Sequence, residues 1–317
     1  MARNWLRRAV LALACASAGL LASCGSSSIE SALSPARFIT FGDGFSDLGQ
    51  NGSRYTVNDG TVNVWTAYMA SLYGQTLTTA SAGGLSYARG NARITAKPDA
   101  AGNTATLTVT EQVDSFLASN TLGANDVVII NGGISDIVAQ MAAVTAGTQT
   151  GAQMIANVKQ AGRDLGAQVR RLVQAGGKYV VVAGTYNLGR SPWAAAIGQG
   201  DLALEASSRF NEELLISIVD LGANVLYVDA AFHYNLVTST PANYSLNDAT
   251  TVVCTSVDPG PGIGTGNGKV NSALCNAGTI GTGLNYGLYT FADGIYPTPR
   301  AHQLFGEYAY NRLRARW

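Results

Sequence analysis

Two hydrophobic rhythms alternate along most of this chain. Short, nearly continuous apolar runs recur at Phe38–Gly42, Asp126–Ile130 (DVVII), Tyr179–Ala183 (YVVVA) and Val225–Val228 (VLYV). Between them lie longer stretches whose apolar residues repeat at helical spacing: Asn63–Tyr73, Val109–Ser119, Ile134–Val144, Ala152–Ala175, Asp201–Leu221 and Pro299–Arg316. Runs of four or five apolar residues suit strands covered on both faces, and the 3.6-residue period suits helices with one buried stripe. Strands separated by helices of ten or more residues predict a parallel sheet between helical layers. Gly176-Gly177 closes the longest helix, and Arg312, Arg314 and Arg316 complement the dipole at the end of the last one. No internal repeat or second core is evident, so residues 37–317 read as one domain.

The first residues follow neither rhythm. Arg3, Arg7 and Arg8 precede an apolar stretch, Ala9–Leu21, that is short for a membrane span. Leu21-Ala22-Ser23-Cys24 then resembles a bacterial lipobox. The expectation is a lipoprotein signal peptide over 1–23, a lipidated Cys24, and a polar tether through residue 36. A Gly after the Cys (Gly25) implies, by the same resemblance, anchoring at the outer membrane of a bacterial envelope.

Composition changes this picture little. Lys and Arg number 20, as do Asp and Glu, so no charge excess points to nucleic acid. Cys254 and Cys275 are the pair left once Cys15 and Cys24 are set aside, and an oxidising compartment would join them. The loop between them carries Asp258-Pro-Gly-Pro-Gly-Ile-Gly-Thr-Gly-Asn-Gly-Lys269, which fails as a phosphate loop: the first Gly of that motif is missing and Val270 replaces Ser/Thr. Two distant histidines, His233 and His302, with no Cys-x-x-Cys give no metal ligand set, and no cofactor is implied. Asp43, Asp47 and Asp136 read as loop organisers that accept from backbone N–H groups, and Trp65, Tyr68 and Tyr73 as core.

In such sheets ligands bind beyond the carboxyl ends of the strands. The exits there read "FITFGDGFSDLGQNG", "VVIINGGISDIV", "GTYNLGRSPW" and, near the end of the chain, "FADGIYPTPRAHQLFGEYA", with "GLSYARGNARI" between the first two. Taken in order over about residues 37–316, these blocks resemble the SGNH/GDSL hydrolases, a family of lipases and esterases. The resemblance implies a flavodoxin-like three-layer α/β/α sandwich. It implies ester hydrolysis by a Ser after Gly-Asp, an oxyanion hole that includes a Gly and an Asn, and an Asp-x-x-His pair.

Three of those positions are substituted here. Gly44 stands at the nucleophile position, Ser135 at the oxyanion Asn and Tyr296 at the His, while Gly90 and Asp293 match. Glycine supplies no nucleophile, and a phenol of ordinary pKa near 10 is a poor base at neutral pH. The expectation is a non-catalytic member of this fold that binds an acyl, glycan or protein ligand or supports an envelope assembly, held at the membrane through Cys24. The alternative is an active ester hydrolase rearranged around Ser46 or Ser135, with His302 as base in the Ser46 version. Ser46 matches a second, non-nucleophilic Ser of the family motif, expected to cap a turn or helix.

Overall fold

The computed structural model describes residues 31–317, so the signal-peptide and Cys24 readings lie outside the described residues. Leu33–Trp317 form one compact unit that contains all of the described core. Four strands pair in parallel in the order β1-β2-β3-β4: β1 Arg37–Phe41, β2 Asp126–Asn131, β3 Tyr179–Ala183 and β4 Val225–Tyr227. Phe38 lies beside Val127, Val128 beside Val180, and Val180 beside Val225. Every residue of β2 is buried, as a central strand covered on both faces requires.

The helices are α1 Trp65–Ser71, α2 Val109–Ser119, α3 Ile134–Thr145, α4 Gly151–Gln174, α5 Pro192–Ala196, α6 Gly200–Ile218, α7 Ala230–Ser239 and α8 Pro299–Arg316. They fall into two packed groups, α2, α3 and α6 around α4 with α5 beside α6, and α1 and α7 around α8. Sheet and helical groups make the α/β sandwich that the alternation predicts. Helices α2 and α4 open with capping boxes built on Thr108–Glu111 and Thr150–Gln153, which satisfy otherwise orphaned N–H groups. Only Gly132 and Gly133 separate β2 from α3, and Gly133 makes that turn with φ 106°, where a side chain would also strike the Phe210 ring.

Two features differ from the sequence reading. Helix α7 was not expected, because its apolar residues do not form one stripe: Tyr234 and Val237 are buried while Phe232 and Leu236 face outward. The Gly-rich loop is also more ordered than a simple surface excursion. Val257–Asp258 and Lys269–Val270 pair as an antiparallel ribbon, β6 and β7, and Asp248–Val252 pairs with Tyr289–Phe291 as β5 and β8. Cys254 and Cys275 are disulfide-bonded, with Cα atoms 5.9 Å apart.

Candidate active site

The exits of β1 and β2 and the loop before α8 meet at one place. Residues 85–90 run along the end of β1, held by Thr40 N–H to Leu85 O (3.0 Å), Tyr87 N–H to Thr40 O (2.7 Å) and Arg89 N–H to Gly42 O (3.0 Å). That lattice carries Gly90 to the turn containing Gly44. From the other side, Tyr186 donates its hydroxyl to Ile295 O at 2.6 Å and fixes the loop bearing Asp293 and Tyr296. Gly44, Gly90, Ser135, Asp293 and Tyr296 therefore converge as the sequence blocks imply.

The chemistry at that point is sealed. A Cβ built on Gly44 would lie 2.6 Å from the Tyr296 hydroxyl oxygen and 2.7 Å from its Cζ, so the phenol occupies the space a nucleophile's side chain would need. Tyr296 is 1% exposed. Burial above all, and then the neighbouring Asp43 carboxylate, push its pKa well above 10 and keep the phenol protonated. The Ser135 hydroxyl beside it works weakly in the opposite direction, but its Oγ has no partner within hydrogen-bond geometry.

The oxyanion side is equally committed. Gly90 donates its N–H to Asp47 Oδ2 at 2.7 Å, and the other oxygen of that carboxylate takes Gly49 N–H (2.8 Å) and Gln50 N–H (2.9 Å). Tyr55 closes over Gly90, with its hydroxyl oxygen 1.9 Å from where a Cβ would stand, and its ring lies 5.1 Å from that of Tyr296. Its segment is tied down by Thr56 Oγ1 to Pro297 O (2.8 Å) and by Asn58 N–H to Cys275 O (2.9 Å), next to the disulfide. Tyr55 was missed by the sequence reading. No local signal marks it, because its contacts lie far along the chain.

The acids act as loop organisers. Asp293 accepts from Ser272 N–H (2.9 Å), Ile295 N–H (2.8 Å) and Tyr296 N–H (2.7 Å), and burial raises its pKa. Asp43 accepts from Phe45 N–H (3.0 Å) and the Asn131 amide (2.8 Å). Burial raises its pKa too, offset in part by those donors and by the N–H groups of Ser135 and Ile134 at the start of α3. Asp136 accepts from Ile94 N–H at 3.0 Å and meets Arg93 Nε at 3.4 Å. Burial lifts it to about 6 against the pull of Arg93.

The replacement triad is not assembled. Ser46 Oγ accepts from Trp65 Nε1 at 3.0 Å, so it anchors an indole instead of capping a turn. His302 is fully buried with its ring 5.3 Å from that of Phe45; no side-chain hydroxyl meets either of its nitrogens, and only the Tyr55 backbone approaches, outside good hydrogen-bond geometry. Burial holds its pKa down to about 3, and His233, on α7, is held to about 4 for the same reason. Among the described residues no hydroxyl meets an imidazole, and no group of three potential metal ligands is found.

A family model described as GDSL-like Lipase/Acylhydrolase matches residues 38–309. The chain belongs to that family. The residues matched include all of the ordered blocks that carry Gly44, Gly90, Ser135, Asp293 and Tyr296. Over 162 residues, 51% of its length, it is 27% identical to an uncharacterized protein in the trpE-trpG intergenic region of Pseudomonas putida. The match spans about a quarter of that relative's length (26%). Two crystal structures align with 89% of the chain and 98% of their own at 14% identity, with TM-scores of 0.47 and 0.40.

Proposed function

We propose that this GDSL-family chain is a non-catalytic envelope protein, exported and lipid-anchored at Cys24, that uses the hydrolase scaffold for binding or assembly. The observation that carries this reading is the Tyr296 phenol standing where a nucleophile would project from residue 44. Acyl transfer needs a nucleophile, a base within about 3.2 Å of it, and donors free to meet an oxyanion. Here residue 44 has no side chain, the imidazoles have no hydroxyl partner, and the Gly90 N–H is engaged by Asp47.

The test is turnover of short acyl esters by the purified protein. The expected rate equals that of a Ser46→Ala variant. A rate well above that control, lost on Ser46→Ala or Ser135→Ala, would instead support the rearranged esterase.

A further inference from the structure

The end of the sheet opposite the sealed site has its own chemistry. All four strands start there, and the chain enters there as well: Ala36 N–H bonds Asn125 O just before β2, one residue ahead of β1. Helix α8 ends there too. Arg316 donates to Gly222 O in the turn before β4, the Trp317 ring lies 5.1 Å from that of Tyr179 at the start of β3, and Arg314 stacks over Tyr310. Lys178, the residue before β3, is exposed, as are Arg312, Arg314 and Arg316.

Among the described residues none of these four cations forms a side-chain ion pair, although acids and bases nearly balance there. Three side-chain carboxylates at this end are already paired: Asp126 with Arg37, Asp220 with Arg170 and Asp114 with Arg171. Beside the cations the last turn of α6 and its 3₁₀ extension leave aliphatic side chains in water, Ile216 at 61% and Val219 at 79% exposure. Unpaired cations, a tryptophan at the chain terminus and protruding aliphatics on one face are what a membrane interface attracts.

We infer that this strand-start face is a docking surface for an anionic lipid bilayer, turning the sealed site away from the membrane. The chain outside the described residues supports that occupant. From Cys24 to Leu33, where the chain is already buried in the core, is nine residues, a span of at most about 30 Å, so a lipid at Cys24 would hold this end against its bilayer. The surface adds to the lipid-anchor reading without needing it, because its charge and exposure lie wholly within residues 178–317.

The test therefore uses residues 31–317, which carry the complete described core and lack Cys24. At low ionic strength this protein should co-sediment with vesicles rich in phosphatidylglycerol and not with phosphatidylcholine alone, and salt should release it. Arg312→Gln/Arg314→Gln/Arg316→Gln should weaken binding by on the order of 100-fold, from about fivefold per cation. Val219→Asp should weaken it further, and Lys269→Gln, at the other end of the molecule, should leave it unchanged. Unaltered thermal midpoints would show that the variants fold. Binding that is absent, that the triple variant retains, or that Lys269→Gln weakens equally would overturn the assignment, as would capture by heparin without capture by anionic vesicles. The anchor reading is decided separately, by the mass of the natural N-terminus.

Discussion

Placing a serine at residue 44 should damage this protein before it helps it. In Gly44→Ser the new Cβ alone would sit 2.6 Å from the Tyr296 hydroxyl oxygen and 2.7 Å from Cζ, far inside van der Waals contact, before any Oγ is placed. The phenol has nowhere simple to go. It is buried, its backbone N–H is held by Asp293 at 2.7 Å, and its ring packs 5.1 Å from Tyr55. Overpacking of this kind costs about 1–3 kcal/mol, or several degrees in Tm for a domain of this size. Urea unfolding with the disulfide intact should read the loss as a lower midpoint at constant slope. In a Tyr296→His background the same serine should cost at least 0.5 kcal/mol less, a coupling typical of side chains in contact. Tyr296→Phe should give little relief, because Cζ remains. A Gly44→Ser protein as stable as the parent, or an equal penalty in both backgrounds, would refute the claim that Tyr296 fills the nucleophile's space.

Removing the staple with Cys254→Ser and Cys275→Ser should lower stability by about 3 kcal/mol in denaturant titrations, and should loosen the Tyr55 segment that Asn58 ties to Cys275. His302 makes a pH signature. Its folded pKa of about 3 lies below the ordinary 6.5, so the unfolded chain takes up the proton first and stability is lost as pH falls below 6.5. Relative to His302→Phe, the parent should lose up to about 1.4 kcal/mol per pH unit between pH 6 and 4. A difference between the two that stays flat with pH would remove the buried neutral imidazole from the account. Finally, intact mass of the exported protein should show an N-terminus at Cys24 carrying acyl chains, and an unmodified N-terminus further along would exclude the anchor.

Much of the fold was legible because its signals are local. The run DVVII predicts a doubly covered strand, and β2 is buried at every position. The ordered blocks place Gly44, Gly90, Ser135, Asp293 and Tyr296 together. What was not legible depends on partners distant in sequence. Tyr55 covers Gly90 and touches Tyr296 with nothing around it to announce that role, and Asp47, expected to accept from backbone N–H groups, takes one of them from Gly90, 43 residues along the chain. Ser46 was expected as a cap because such a serine commonly caps, whereas a Trp65 indole 19 residues away claims its oxygen. Helix α7 escaped because its exposed Phe232 and Leu236 blur the one-sided stripe that marks a helix.

The central claim is that no side chain in this GDSL-family chain is an activated nucleophile. An organophosphonate ester tests that most directly, since it reacts covalently with a serine whose proton a base can take and needs no matched substrate. Intact mass after prolonged incubation of the native protein should show no adduct. A stoichiometric adduct that maps to Ser46 or Ser135 and disappears on Ser46→Ala or Ser135→Ala would contradict the account.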